Sequence, residues 1–314
     1  MFCHRLSVYP CISVVLIFLL LGCGGDSEVK TIDFARTIDV DHQAPVDTDK
    51  GTLRMAIGAM VSPRETVVHY HELLNYIAGR LNRRIELVQR RTYAEINEML
   101  GAGQIDLAFI CSGPYATGKD RHGFKAIAVP QIRGSHFYRS YLLVGKESPY
   151  QSFDDLEGKV FAFTDPDSNT GKLVPTFWLI RKGLTPDRFF SKTIYTYSHD
   201  NSILAVATGL VDGATVHEQI WEYYKEQDPI HTSRTRIIKK SELFGNPLMV
   251  ASAGLSSRSR DDARNVLLKM HGDPAGQKIL KHLIIDRFLP PEDGWYASIL
   301  AMHRECSSNR KAAP

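Results

Sequence analysis

Apolar positions in the first half of the chain alternate between strand-like and helix-like spacing. Leu53–Ile57 is a short apolar run, and in Pro63–Leu81 apolar residues recur every three or four positions. The first pattern is typical of a buried strand and the second of an amphipathic helix. A strand at Ile85–Val88, a helix at Tyr93–Leu100 and a strand at Asp106–Ile110 follow. This alternation predicts parallel β–α–β units and an α/β sheet covered on both faces.

The same alternation starts again in the middle of the chain. After an apolar segment at Ile127–Pro130, residues Tyr138–Gly145 are predicted to form a strand that leaves the first unit. The elements predicted next are strand Val160–Phe163, helix Leu173–Lys182, strand Thr193–Tyr197, helix Ser202–Thr208, strand Val211–Val216, helix Glu218–Glu226 and strand Arg236–Lys239. A second run of this kind, about 100 residues long, predicts a second α/β lobe.

The C-terminal part of the chain has too few strand segments to form a sheet of its own. A return strand is predicted at Leu248–Ala251, and the apolar spacing beyond it predicts helices at Ser257–Met270, Pro274–Leu283 and Trp295–Arg304. We therefore expect these helices to pack on the first lobe.

This packing requires the chain to cross between the lobes twice, near Val144 and near Pro247. One lobe then contains residues 51–143 and 248–314, and the other contains residues 144–247. Two crossings form a hinge, and a cleft between hinged lobes is a favoured place for a small ligand.

The N-terminus has the pattern of an export signal. A short cationic start that includes Arg5 precedes an apolar run at Val14–Leu21, which is too short to span a membrane comfortably. The sequence LLGC at residues 20–23 resembles a bacterial lipobox, which implies a signal peptide over residues 1–22 and a lipid on Cys23. The alternatives are an ordinary signal peptide or an N-terminal anchor helix. Each of them places the rest of the chain outside the cytoplasm, in the periplasm or another extracytoplasmic space.

Residues 23–50 separate this signal from the first predicted strand. They are mostly polar, rich in aspartate, and show no sustained apolar period. Such a segment buries too little apolar surface to order itself, so we expect a flexible tether.

Charge and cysteine usage narrow the function further. The formal net charge of +3 is too balanced to indicate a nucleic acid partner. Of five cysteines, two lie in the predicted signal and Cys23 would carry lipid, which leaves Cys111 and Cys306 as free thiols or as a single disulfide. Their spacing is not that of a metal site. We expect no metal and no cofactor.

Two polar segments of the second lobe follow a strand and directly precede a helix. The segment at residues 164–171 contains Ser168, Asn169 and Thr170, and the segment at residues 198–201 contains His199. A helix N-terminus offers unpaired N–H groups and a positive dipole to an anion. The same residue types also form plain N-cap turns, and a lone histidine is often structural, so both interpretations stay open on this pattern. No nucleophile with a base and no pair of carboxylates stands at a spacing that would indicate catalysis.

These segments also carry a family resemblance, which extends from about Arg54 to Arg304. The matching segments are TDPDSNTG at residues 164–171 with Val174-Pro175, SHD at 198–200 with AVA at 205–207, Val211-Asp212, Tyr93-Ala94, and Phe109-Ile110 leading to SGPY at 112–115. Together they resemble the phosphonate, phosphite and phosphate binding proteins of ABC importers. The resemblance implies a type 2 periplasmic-binding-protein-like fold, in which two α/β lobes are joined by a two-crossing hinge.

The resemblance also implies a set of ligand-binding residues. Hydroxyl and N–H groups of Ser168, Asn169 and Thr170 would hold the oxygens of a phosphorus oxyanion, and His199 would donate a further hydrogen bond. Hydrogen bonds to a charged oxygen are individually strong in a water-poor cleft, so neutral donors suit this task. From the first lobe, the resemblance implies that Tyr93 and Tyr115 close over the ligand.

Two further positions bear on ligand choice. Relatives that bind aminoalkyl phosphonates place acidic residues near the amino group, and the matching positions here are the neutral Gln219 and Asn246, with Glu218 directly beside the first. This difference argues against an aminoalkyl phosphonate.

The resemblance thus implies a lipid-anchored receptor that binds a small oxyanion, closes, and docks on the permease of an ABC importer. One alternative is a receptor that passes the closed state to a membrane sensor kinase. Another is an enzyme acting on a phosphate ester, with His199 as general acid.

Overall fold

The computed structural model describes residues 37–39 and 51–312. The predicted signal peptide, Cys23 and most of the predicted tether lie outside these residues. Thr37–Asp39 form a strand, β1, that pairs antiparallel with Ile85–Val88. The expectation of a wholly flexible tether is therefore wrong for these three residues. A sheet edge offers free backbone N–H and C=O groups, and pairing with them does not require apolar side chains.

The first lobe is built on a mixed seven-stranded sheet. Its strands, from edge to edge, are β1, β3 (Ile85–Val88), β2 (Leu53–Ile57), β4 (Leu107–Ile110), β13 (Leu248–Ala251), β5 (Lys125–Gln131) and β14 (Arg287–Leu289). β2 runs parallel to β3 and β4, whereas β13 runs antiparallel to β4 and β5. The chain thus returns from the second lobe into the middle of the first sheet.

Helices cover both faces of this sheet. Successive residues of β2 point to opposite sides, so that Met55 belongs to one apolar core and Ala56 to the other. The first core is closed by α1 (Pro63–Leu81), α8 (Ser257–Lys269) and α9 (Pro274–His282), and the second by α2 (Tyr93–Gly101), α3 (Ser112–His122) and α10 (Ala297–Ala312).

The second lobe is built on a five-stranded sheet. Its strands, in order, are β11 (Thr235–Lys240), β7 (Ser140–Gly145), β10 (Gly213–His217), β8 (Val160–Phe163) and β9 (Lys192–Tyr195). β8 runs parallel to β9 and β10, and β7 runs antiparallel to β10 and β11. Its helices are α4 (Val174–Ile180), α5 (Pro186–Phe189), α6 (His199–Ala207) and α7 (Glu218–Gln227). The predicted class, α/β with two lobes, is confirmed.

A small two-stranded ribbon marks both crossings between the lobes. β6 (Phe137–Tyr138) pairs antiparallel with β12 (Phe244–Gly245). The second crossing lies just before β13, near the expected Pro247, but the first does not lie near Val144. Ser140–Gly145 is inserted between β10 and β11, where all but its last residue are buried, and so belongs to the second lobe. Its continuous apolar run predicts a buried strand but does not say which of two sheets receives it.

Helix α3 is the main element that the apolar pattern does not predict. Ser112–His122 contains two glycines and a proline and has almost no amphipathic character. Its small residues are buried, which suits a helix that packs closely between α2 and α10. Cys111 and Cys306 are both buried, and neither forms a disulfide bond. Within the described ranges, no helix has both the length and the apolar character needed to cross a membrane.

Candidate functional site

The polar turn after β8 is a tightly built loop that leads into a π-helical turn at Asn169–Leu173. The Oγ atom of Ser168 accepts a hydrogen bond from the N–H of Gly171 over 3.0 Å. A Cβ atom at Gly171 would lie 2.2 Å from Oγ1 of Thr164, so only glycine fits there. Ser168, Asn169 and Thr170 in this turn are all fully buried. A π-turn is an uncommon local structure that occurs frequently at functional sites.

His199 is the first residue of α6, behind the N-cap Ser198. Its Nδ1 atom accepts the backbone N–H of His217 over 3.2 Å. Burial lowers the pKa of His199 to about 3, so its imidazole is neutral at physiological pH. Because a backbone N–H can only donate, Nδ1 is unprotonated and the ring proton is on Nε2. His199 therefore presents a neutral N–H donor.

Tyr93 is a residue of the first lobe that contacts the turn after β8. It opens α2, where Thr92 and Glu95 form a capping box. The N–H of Tyr93 donates to Oδ2 of Asp165, in the second lobe, over 3.1 Å. Burial raises the pKa of Tyr93 well above its usual value, so its phenol keeps the proton and is a donor.

Several predicted residues carry buried polar atoms without a hydrogen-bond partner among the described residues. These atoms are Tyr93 Oη, Asn169 Oδ1, Thr170 Oγ1 and His199 Nε2. Leaving a buried polar group unpaired costs about 1–3 kcal/mol, so native proteins rarely keep one without a reason. Four such atoms lie on residues that the sequence pattern and the family resemblance select, which makes this cluster the candidate binding site.

Tyr138, the last residue of β6, also belongs to this cluster, although the sequence predicts it only as part of a strand. Its hydroxyl accepts a hydrogen bond from Nδ2 of Asn169 over 3.1 Å and lies 2.6 Å from Oγ of Ser112. Its ring stacks on His217 with 4.0 Å between centroids. The sequence does not predict Tyr138 or His217 as site residues, because only the hinge brings them together. The available signal was an aromatic pair, Phe137-Tyr138, at the point where the chain changes lobe.

Tyr115 does not join the site. Its hydroxyl donates to Oδ1 of Asp293 over 3.0 Å, and its ring meets that of Tyr296 edge-on at 4.8 Å. The expectation that Tyr115 closes over the ligand is therefore wrong. Residues 112–122 form a helix, which directs Tyr115 toward the C-terminal segment that packs on α3.

Gln219 and Asn246 face each other across the lobes. Nε2 of Gln219 donates to Oδ1 of Asn246 over 2.9 Å, and Nδ2 of Asn246 donates to the carbonyl of Pro130 over 2.9 Å. The neighbouring Glu218 is occupied elsewhere, because its carboxylate accepts the N–H of Arg139 and the hydroxyl of Tyr141, each over 2.7 Å. The residue paired with Asn246 is thus the neutral one.

One buried carboxylate lies beside the cluster. The two oxygens of Asp165 accept the N–H groups of Tyr93 and Asp167 over 3.1 and 2.8 Å. Burial raises the pKa of Asp165 to about 6. Its acceptors are used by the protein itself, so Asp165 ties the two lobes together rather than presenting free charge.

The chain matches a known family over most of its length. A model of the family described as ABC transporter, phosphonate, periplasmic substrate-binding protein matches residues 55–296. The phosphonates-binding periplasmic protein of Escherichia coli (strain K12) is 27% identical over 196 residues, which cover 61% of this chain and 58% of that protein. The phosphate-import protein PhnD of Mycolicibacterium smegmatis is 26% identical over 211 residues, covering 63% of this chain and 65% of that protein. The chain therefore matches less than two thirds of either relative's length.

Solved structures show the same fold. PhnD1 from Prochlorococcus marinus (MIT 9301), in complex with methylphosphonate, has a TM-score of 0.74 at 18% identity and covers 82% of this chain and 98% of that one. A binding protein component of an ABC phosphonate transporter from Pseudomonas aeruginosa has a TM-score of 0.73 at 20% identity and covers 83% and 97%.

Proposed function

The chain belongs to the family of periplasmic substrate-binding proteins of phosphonate ABC transporters, and we propose that it binds a small phosphorus oxyanion between its lobes for import. The oxyanion is phosphate, phosphite or a phosphonate. The relatives from E. coli and M. smegmatis are named for phosphonates and for phosphate import, and the P. marinus structure holds methylphosphonate.

The observation that carries this proposal is the set of unpaired, neutral donors from both lobes. Thr170 Oγ1 and His199 Nε2 come from the second lobe and Tyr93 Oη from the first. All three belong to buried residues. Hydrogen bonds from neutral donors to a charged acceptor contribute about 1.5–3 kcal/mol each. A tetrahedral oxyanion that accepts these bonds would therefore offset the free-energy cost of burying the three donors.

Contacts between the lobes support capture by closure. The N–H of His199 donates to the carbonyl of Met60 over 2.9 Å, and that of Ser62 donates to Oδ1 of Asp200 over 2.9 Å. Arg133 and Glu226 form an ion pair across the cleft. Since a ligand that contacts both lobes favours the conformation in which these contacts form, binding and closure are coupled.

We propose that His199 binds and does not catalyse. A general acid works best with a pKa near the operating pH. Burial lowers the pKa of His199 to about 3, so at neutral pH its imidazole carries no transferable extra proton. This argues against the phosphate-ester enzyme and in favour of a receptor.

The proposed location is outside the cytoplasm, as the family description implies. We further propose that Cys23 carries a lipid that holds the receptor at the membrane beside its permease. Residues 20–23 (LLGC) support this part of the proposal.

A thermal-shift experiment tests the proposed function. Purified protein is heated with phosphate, phosphite, methylphosphonate or sulfate at matched ionic strength. A ligand of the folded state stabilises it by RT ln(1 + [L]/Kd), about 2.7 kcal/mol at a hundredfold excess over Kd. We expect at least one phosphorus oxyanion to raise Tm in a saturable manner and sulfate to have a smaller effect. If none of them raises Tm, the protein is not a receptor for these anions.

A further inference from the structure

The backbone of Tyr197 has an unusual conformation. Its φ is 61°, in the left-handed region that glycine adopts readily and a bulky residue rarely does. Tyr197 lies in the short connection between β9 and α6, where its N–H donates to the carbonyl of Thr164 over 2.7 Å. Strained residues of this kind persist only where the surrounding structure holds them, and they cluster at functional sites. A tyrosine at a position that favours glycine indicates that its ring is used.

The ring of Tyr197 contacts a cation of the other lobe. Arg91, in the connection between β3 and α2, places its guanidinium over the ring, with 4.0 Å between Cζ and the ring centroid. A cation within about 6 Å of a ring centroid is attracted by the negative face of the ring. The similar contact of Arg80 with Tyr76 lies within α1, at 5.2 Å, and joins residues of one lobe. The contact of Arg91 with Tyr197 instead crosses the cleft.

This contact lies beside the unpaired donors. Arg91 precedes Tyr93 by two residues, and Tyr197 precedes His199 by two residues. Tyr93 and His199 are buried, whereas Arg91 is exposed and Tyr197 is half-buried. The pair thus joins the two segments that present donors, on their solvent side. Because each lobe supplies one member, the attraction between them is lost when the lobes separate.

We propose that Arg91 and Tyr197 form a latch at the rim of the closed cleft, which slows release of the bound anion without contacting it. The inference rests on the proposed function and concerns the kinetics of the same site. The latch has to break before the lobes open, so it lowers the release rate koff. Association starts from open lobes, in which the pair is apart, so the association rate kon does not depend on the latch.

Stopped-flow fluorescence with phosphate, phosphite and methylphosphonate tests the latch, with kon and koff measured at low and at high salt. Arg91→Gln should raise koff about threefold to tenfold, the range expected from losing a cation–π contact, and should leave kon at high salt within about twofold. Arg80→Gln is the matched control, because it removes an arginine from a tyrosine within one lobe and should leave koff unchanged.

Variants of Tyr197 separate the ring from the backbone. Tyr197→Phe keeps an aromatic face and should release the anion as slowly as wild type. Tyr197→Asn removes the ring, but asparagine tolerates the left-handed conformation, so the fold is kept while koff rises as in Arg91→Gln. The double variant Arg91→Gln/Tyr197→Asn should release no faster than either single variant, because each change removes the same contact.

The possible outcomes distinguish the latch from the proposed function. If the effects of Arg91→Gln and Tyr197→Asn on koff multiply in the double variant, the two residues act separately and the latch is overturned. If Arg91→Gln changes only kon, and only at low salt, Arg91 attracts the anion through its long-range field and the latch is again overturned. In both cases the proposed function stands. If none of the three anions binds to wild type, the proposed function itself fails.

Discussion

The backbone N–H of His217 donates a hydrogen bond to Nδ1 of His199 over 3.2 Å. The N–H of Gln219 makes the same bond to Nδ1 of His217, also over 3.2 Å. Each imidazole is thus held in one tautomer by the main chain, with its proton on Nε2. The position of β10 beside α6 therefore fixes the Nε2–H of His199 as a hydrogen-bond donor, and no neighbouring carboxylate is needed to do so.

Thr170→Val should weaken anion binding by about 1.5–3 kcal/mol, the usual contribution of a hydrogen bond to a charged group. Stability should change little, because Oγ1 of Thr170 has no partner among the described residues that could be lost. Thr208→Val, at an exposed hydroxyl that donates to the carbonyl of Leu204, is the control. If titration calorimetry finds equal anion affinities for the Thr170 and Thr208 variants, Thr170 is not a ligand-binding residue.

His199 should make stability fall in acid. An unfolded histidine has a pKa of 6.5, whereas burial lowers the pKa of His199 to about 3. As the pH falls below 6.5 the unfolded chain binds the proton first, so stability present above this pH is lost progressively toward pH 3. The loss at about pH 5 is about 2 kcal/mol. Urea unfolding at pH 7.5 and 5 should show a pH dependence smaller by this amount in His199→Gln, and unchanged in His271→Gln, where the side chain is exposed.

Gly113→Ala should hinder closure of the lobes. A Cβ atom at Gly113, in the first lobe, would lie 2.6 Å from the carbonyl oxygen of Asp167 in the second. We expect ligand affinity to fall at least about tenfold, or 1.4 kcal/mol. Gly79→Ala is the control, since a Cβ atom there meets no described atom within 4 Å. Scattering that shows ligand-induced compaction in the Gly113 variant equal to wild type would contradict this prediction.

The elements of both lobes follow from local periodicity because each buries an apolar face. Helix Pro63–Leu81 and strand Ile85–Val88 have the predicted bounds. The crossing at Val144 and the missed helix at Ser112–His122 show the limits of this reasoning. A fully apolar strand fits either sheet, and a helix of small residues leaves no periodic trace.

The site shows a similar division. Ser168, Asn169 and Thr170 share one contiguous turn, so the residue pattern identifies them together. Tyr138 and His217 are 79 residues apart and meet only through the stacking of the hinge ribbon on β10. A contact of that kind depends on how two sheets are placed, which no local pattern contains.

Cys23→Ser should yield an exported protein that is released from membranes. The prediction is motivated by the sequence LLGC at residues 20–23. A single acyl chain binds membranes only marginally, but the several chains of a lipoprotein suffice. Fractionation should find the variant in the soluble extracytoplasmic fraction and wild type in membranes, with Cys11→Ser as control. A variant that remains in the membrane fraction would contradict lipid anchoring at this residue.

Gln219→Glu should shift the preference of the site toward aminoethylphosphonate. In the wild type, Gln219 and Asn246 bond each other and offer an ammonium group only neutral oxygens. A neutral acceptor replaces only part of the stabilisation that a carboxylate supplies to a desolvated cation. The variant places a carboxylate where the wild type has a neutral amide. We expect the affinity ratio of aminoethylphosphonate to methylphosphonate to rise at least about tenfold, or 1.4 kcal/mol.

Gln227→Glu is the control, because it adds the same charge at an exposed position of α7. This variant should leave the affinity ratio unchanged. The comparison separates the effect of a carboxylate in the site from the effect of one more negative charge on the protein. Competition calorimetry measures the ratio. If wild type already prefers aminoethylphosphonate, Gln219 is not the residue that decides, and Glu218 would have to leave Arg139 and Tyr141 to supply the charge.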